Sequence, residues 1–420
     1  MTSTTLDSTA GSIVAPVESP DIFEPQTGPH VPLPLGRGHL ALLDGLRAYL
    51  ASWVVVCHVM WACGYEPKSL EGAWAILCQG AHAVDVFVLL SGFVIFKLLD
   101  DRKETYGAFI TRRFFRLFPA YIVLFVLAIP ASRIAADNLA VTSQYFSPAQ
   151  ATAVATQFHE WWRNIGWHTV LHAVMLHGIV PQRLLAEGPG AFLEPAWSIS
   201  LEWQFYLIAP LAYALATSGN RTQRLIVNFA ALALYVMAAG HIIPAVDFGA
   251  ALPFHAEYFY LGAVSYFLYK RNLRAPISET PAVVMLIISL FVFQRGHRYA
   301  DLIPICLWAI VLGLLLERGT HGWRALATKP FLHPIAQYVG RISYSLYLCH
   351  WVALFVMQHV LLTLAPDLNR LTHCVALVAL TFAASLPTSA LLYRYVEMPG
   401  IRTGQLLAAR FSEASSRVRA

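Results

Sequence analysis

Residues 43–58 read LDGLRAYLASWVVVCH, an apolar run that carries three polar groups at fixed places, Asp44, Arg47 and His58. With its flanks the run extends over residues 40–61, and a helix needs about 17 to 25 apolar residues to cross a bilayer core. It therefore reads as a membrane span rather than a face of a soluble core. The rest of the chain agrees: 57% of its 420 residues are hydrophobic, only 13% are charged, and the mean hydropathy is +0.55. A soluble helical protein would show alternating polar faces, which stretches such as 120–129 lack.

Repeating this reading predicts an all-α, polytopic bundle of ten spanning helices, at 40–61, 76–99, 117–134, 196–215, 225–243, 254–269, 282–294, 302–316, 335–362 and 374–396. A further apolar piece, 169–180, holds about twelve residues before Pro181, too few to span, and reads as re-entrant or interfacial. The loops on one side carry about twice the Lys and Arg of those on the other, which places both termini in the cytoplasm of a cell with a plasma (inner) membrane. Residues 1–39, rich in Ser, Thr, Pro and Gly, read as a disordered cytoplasmic tail without a signal peptide, 40–399 as the membrane domain and 400–420 as a basic cytoplasmic tail. The net charge of +5 follows from this loop bias, so nucleic-acid binding is not indicated. The six cysteines lack CxxC spacing and read as small core residues, with a Cys63–Cys78 pair as the one disulfide open on spacing.

Charged groups inside a span cost about 2.5 to 3.5 kcal/mol each and so mark cavities or partners. Arg47 and His58 stand eleven residues apart, within about 20° of three whole turns, and project from one face about 16 Å apart along the axis. Such a face offers an anion anchor near the cytoplasm and, deeper, an imidazole suited to take a proton from an attacking hydroxyl. Each also has a plain reading, Arg47 as a snorkelling interface residue and His58 as a core histidine bonded to a carbonyl. In VDVFVLLSGF (84–93), Asp85 needs a cationic or donor partner, with His58 or Arg47 as candidates, while Ser91 and Gly92 line a site or permit close helix packing. FITRRFFRLFP (109–119) sets Arg112, Arg113 and Arg116 at the cytoplasmic surface, for phosphate recognition or for orienting the next span.

EPAWSISLEWQFYL (194–207) places Trp197, Ser198 and Glu202 at the outer end of a helix, with Ser198 and Glu202 on one face, fit to meet a hydroxylated acceptor or to form an interfacial belt. GRISYSLYLCHW (340–351) aligns Ser343, Tyr347 and His350 as a polar stripe that lines a cavity or bonds a neighbouring helix. His168 and His172 have metal-ligand spacing but no HExxH or carboxylate partner, so no metal is expected.

The order LDGLRA with His58 eleven residues after Arg47, VDVFVLLSGF, RRFFRLFP, WSISLE, GRISYSLYLCH and a closing VEMP at 396–399 resembles the acyltransferase-3 family of integral membrane acyltransferases over residues 40–399. The family's second-helix motif has two adjacent Phe where this chain has Phe87-Val88, a difference that bears on packing rather than on titratable groups. The resemblance implies ten core helices and a cytoplasmic acyl-CoA co-substrate, acetyl-CoA first. It implies an essential Arg and His carried by Arg47 and His58, and roles for Arg112, Arg113 and Arg116 and for Trp197, Ser198 and Glu202. His58 would act as base or acyl carrier, oriented by Asp85 or Glu202; Arg112, Arg113, Arg116 and Ser91 would hold the donor, and Trp197, Ser198, Tyr347 and His350 the acceptor. That acceptor would be a hydroxyl of an envelope or exported carbohydrate, with envelope polysaccharide ahead of a glycolipid or secondary metabolite. The rival reading is a proton-coupled or solute transporter that uses the same intramembrane Arg, Asp and His as a relay.

Overall fold

The computed structural model describes residues 35–223, 226, 250–274, 302–317 and 322–419, and every regular element among them is helical. The expected spans at 225–243 and 282–294, and the tail before residue 35, lie outside the described residues. In chain order the helices are α1 (Leu35–Ala62), α2 (Gly72–Leu77), α3 (Gly80–Arg102), α4 (Tyr106–Thr142), α5 (Pro148–Arg163), α6 (Ile165–Ala173) and α7 (Ala196–Thr217). They are followed by α8 (Ala256–Arg274), α9 (Ile303–Leu316), α10 (Gly322–Leu332), α11 (Pro334–Arg341), α12 (Ser343–Leu364), α13 (Arg370–Leu392) and α14 (Met398–Arg419).

Five helical stretches are long and apolar enough to cross a membrane: Leu40–Ala62, Gly80–Arg102, Tyr106–Tyr145, Ser343–Leu364 and Arg370–Phe411. The chain is thus a multi-pass membrane protein. α7 and α8 are helical where spans were expected but are not among these five; α7 carries Glu202 and Gln204, and α8 carries Glu257 and the basic run from Lys270. The 169–180 piece does not span: it contributes the end of the nine-residue α6 and a single turn at His177–Ile179.

The expected span 335–362 is divided at Ile342 into α11 and α12, and three further boundaries differ from the sequence reading, each for a local reason. The expected helix 76–99 is broken, because the Gly80 backbone N–H donates to Cys57 Sγ at 3.0 Å and starts α3 against α1. The third span starts at residue 106, where the Thr105 side chain caps it by accepting from Ala108 N, so Arg112, Arg113 and Arg116 sit on a helix rather than in a loop. At the C-terminal end a π turn, Tyr393–Glu397, carries the chain directly from α13 into α14, which packs along α4. Residues 400–419 are helical there.

Close helix contact explains part of the small-residue content. A Cβ on Gly262 of α8 would stand 2.0 Å from Leu89 O of α3, and one on Gly92 of α3 would stand 2.3 Å from Phe259 O of α8. The two backbones touch only because neither glycine has a side chain. The same three-helix group is closed at its other end by Asp100, which accepts from Tyr213 OH of α7 at 2.5 Å, pairs with Lys270 Nζ of α8 at 2.6 Å, and also accepts from Tyr266 OH.

Candidate active site

α1 and α12 lie side by side and run in the same direction. Gln358 Nε2 donates to Ala62 O at 3.1 Å, His58 meets His350 one to two turns earlier, and Arg47 and Ser343 line one cavity nearer the start of both helices. The two polar stripes read from sequence, Arg47 to His58 and Ser343 to His350, therefore face each other in register.

His58 Nδ1 stands 2.8 Å from His350 Nε2, and His350 Nδ1 stands 3.1 Å from Leu346 O. A carbonyl can only accept, so His350 Nδ1–H is the donor there; the Nε2 of a neutral His350 ring must then accept from His58 Nδ1–H. This chain of two bonds leaves the lone pair of His58 on Nε2. The Trp351 ring meets the His58 ring edge-on, with centroids 5.1 Å apart, and closes the side of the imidazole. His58, Trp351, Trp61, Trp161 and Glu194 line an outer cavity of about 600 Å³.

Arg47 opens on a second, narrower cavity of about 120 Å³, lined also by Ser91, Arg113, Arg116, Ser198, Glu202, Tyr206, Ser343 and Tyr347. The two cavities share no lining residue, so Arg47 and His58, on one face of α1, line different spaces. Along α1 between Arg47 and His58, the Phe87 ring packs on Ala51, Val55 and Leu346 and meets the Tyr347 ring edge-on with centroids 6.0 Å apart. Within the inner cavity, Arg47 Nε, Arg113 Nε and Ser343 Oγ are buried without a hydrogen-bond partner among the described residues. Orphaned donors of this kind suit a chain that brings carbonyl or phosphate oxygens.

The other sequence candidates divide between these places and neither. Asp85 does not reach His58 or Arg47; it stands 4.0 Å from His82 Nδ1, because Asp85 lies about 120° around α3 from Ser91. Glu202 does not orient His58 either: it accepts from Ser91 Oγ at 3.2 Å and from Tyr206 OH in the inner cavity. Trp197 and Glu202, five residues apart, point about 140° away from each other, so Trp197 lies against His255, with ring centroids 5.6 Å apart, beside a separate cavity. Ser198, on the Glu202 face as expected, shares a 2.8 Å bond with Tyr347 OH.

The basic cluster is partly committed. Arg112 pairs with Glu104, Arg116 pairs with Glu397 of the VEMP segment, and Arg113 stacks over Tyr206 at 5.8 Å. His350 is a partner of His58 rather than only a wall residue. The suggested Cys63–Cys78 bridge is absent; both are free, with Cys78 Sγ turned toward Tyr65 O at 3.5 Å. His172, one of the two histidines at metal spacing, stacks on His177 at 3.8 Å and shares a 2.7 Å bond with Tyr121 OH, and the described residues hold no group of three or more metal-type ligands.

Glu194 was not singled out by sequence reasoning, although it opens the quoted EPAW segment just before a helix. Burial, with Glu187 nearby, pushes its carboxyl up to about 7.

A buried histidine pair beside one cavity, with a second cavity opening at Arg47, marks a multi-pass helical bundle with two separate internal spaces. The chain matches the acyltransferase domain family over residues 40–390 and belongs to it. It is 30% identical over 177 residues to acyltransferase MdmB of Streptomyces mycarofaciens, covering 42% of this chain and 40% of that protein. Peptidoglycan O-acetyltransferase OatA of Listeria monocytogenes is 23% identical over 401 residues, covering 88% of this chain and 57% of that protein. O-acetyltransferase OatA of Staphylococcus aureus is 24% identical over 352 residues, 76% of this chain and 52% of the relative. The chain spans about half the length of these curated relatives. No solved structure matches it.

Proposed function

We propose that the protein moves an acyl group, acetyl first, from acyl-CoA to a hydroxyl of an envelope or exported carbohydrate, with the donor entering from the cytoplasm and both termini on that side of the plasma membrane. The observation that carries this reading is the His58–His350 pair, which holds an imidazole with its lone pair on Nε2, on a ring that lines the larger cavity. Family membership favours acyl transfer over solute transport.

In this mechanism Arg47 and Arg113 supply the unpartnered guanidinium donors that grip the donor in the inner cavity, and Ser343 offers its hydroxyl to the same chain. An acyl-CoA thioester supplies an activated carbonyl there. His58 Nε2 takes the proton of the acceptor hydroxyl while that oxygen bonds to the acyl carbon; the carbon–sulfur bond breaks, and His58 returns the proton to the departing sulfur. Because the Phe87–Tyr347 contact lies between Arg47 and His58, the acyl carbon has to pass that pair before it meets His58. Transfer through an acyl-His58 intermediate follows the same path in two steps.

Purified protein in detergent, given labelled acetyl-CoA and a glycan acceptor, tests the reading. Acceptor-dependent release of CoA that is lost in His58→Ala supports it; solute flux without CoA that survives this change sinks it. Single-turnover trapping of acylated His58 separates the one-step from the two-step route.

A further inference from the structure

The outer cavity does not stand alone. It shares Trp61, Tyr65, Glu66 and Gln157 with a cavity of about 270 Å³ and shares Glu194 with another of about 250 Å³ on the Trp197 side; Glu187 lines both of these neighbours. The three adjoin through these residues as one groove, and His58 lines its largest part. Indole faces line it, from Trp61, Trp161 and Trp351 in the middle to Trp197 at one end. An indole presents a flat apolar face to the C–H side of a ring and keeps one polar donor for its own fixed bond; Trp351 Nε1 is already spent on Phe192 O at 3.0 Å.

The charges along this groove are Glu66, Glu187 and Glu194 against Lys68. The Glu194 carboxyl is built in deliberately. A Cβ on Gly190 would lie 2.1 Å from Glu194 Oε2, so any larger residue there would push the carboxyl from its present place, and no side-chain hydrogen bond to it is formed among the described residues. A carboxyl held in a cavity without a protein partner is available to hydroxyls, which it can accept two or more at a time.

Building on the acyl-transfer reading, we propose that the groove takes an uncharged glycan of more than one ring, and that Glu194 is the acceptor-binding residue that holds hydroxyls of the ring beside His58. The three carboxyl groups disfavour a polyanionic chain by like-charge repulsion. The two adjoining spaces hold the neighbouring rings, and the indoles hold their apolar faces.

The test is calorimetric binding to the full-length protein in detergent, with β-1,4-linked N-acetylglucosamine tetramer, the monomer and trigalacturonate as probes. Wild type binds the tetramer more tightly than the monomer and binds trigalacturonate least. Glu194→Gln weakens tetramer binding about 10- to 100-fold, the loss expected for hydrogen bonds to a charged group, and narrows the gap to trigalacturonate; Glu194→Asp, which keeps the charge, falls between. Gly190→Ala, which crowds the same carboxyl, weakens binding in the same direction. The proposal is overturned if wild type fails to bind the tetramer, binds trigalacturonate best, or loses no affinity in Glu194→Gln that folds with a wild-type melting profile. Wild-type transfer or hydrolysis of labelled acetyl-CoA reads the underlying mechanism separately: its absence defeats acyl transfer, whereas its presence beside a failed binding series defeats only the groove.

Discussion

At the scale of single residues, the two-bond chain from Leu346 O through His350 to His58 makes His350 a positioning residue with its own signature. Replacing His58 by Ala removes the proposed proton acceptor, with an expected loss in kcat of about 10² to 10⁴. Replacing His350 by Ala leaves His58 in place but frees its tautomer. Acyl transfer should then fall by a smaller factor, on the order of 10², with KM for both substrates little changed; an unaltered rate or pH profile would refute the relay. Glu194 carries a pH effect whose sign follows from its raised value. Its carboxyl rises from an ordinary 4.5 to about 7, so the folded protein holds the proton more tightly and stability falls as pH climbs from 4.5 to 7. Glu187 and Tyr347 interact with it electrostatically, and Glu66, Lys68, His58 and His255 line the same cavities. Melting of Glu194→Gln in detergent should match wild type near pH 4 and exceed it at pH 8, by up to about 3 kcal/mol. The residue types at Arg47 and His58 were legible because a charge inside an apolar run is conspicuous. The partners were not, because Asp85, Glu202 and His350 all suit an imidazole chemically and only the rotation of their helices decides which one reaches it.

At the scale of elements, two junctions carry the site. The first joins α4, α12 and the turn after α13, where Arg116 pairs with Glu397 and Ser345 Oγ donates to the same carboxylate at 2.7 Å. The Glu397 side chain is fully buried, at 0% exposure, so Arg116→Ala leaves a buried charge without its cation. Destabilisation of about 3 to 5 kcal/mol is expected, and Arg116→Lys should restore part of it in a thermal melt. The second is the contact of α3 with α8 at Gly92 and Gly262. Gly262→Leu forces the two backbones apart, at a cost of about 1 to 3 kcal/mol or more, and should displace Ser91 and with it the inner cavity; a melt and donor affinity equal to wild type would contradict this. Seven of the expected spans fall on long described helices, since apolar length is a property of the sequence alone. The breaks at residues 78–79 and at Ile342 were hidden because neither leaves a mark on hydropathy: Cys57 captures the Gly80 N–H, and Ile342, at φ −91° and ψ 5°, interrupts the helix at a single apolar residue.

At the scale of the whole molecule, the polar stripes of α1 and α12 meet in register, and the Phe87–Tyr347 contact lies between Arg47 and His58. In the proposed reaction this pair keeps donor and acceptor apart until the acyl carbon passes it, which limits loss of the acyl group to water. Phe87→Ala, which opens this contact, should raise acceptor-independent hydrolysis of labelled acetyl-CoA relative to transfer; a ratio equal to wild type would show that the pair is not the barrier. Proteolytic tags on both termini, cut only in inside-out vesicles, would support the cytoplasmic placement of both ends.

Composition and apolar run length by themselves determined that the chain lives in a bilayer as helices, and spacing determined that Arg47 and His58 share a face, because both follow from local geometry along a single helix. Which carboxylate or imidazole meets His58, how Arg47 comes to serve a different cavity from His58, and where Glu194 stands were decided only by tertiary packing. Those outcomes depend on how one helix is turned about its axis against another, and helical periodicity constrains that angle within a segment but never between segments.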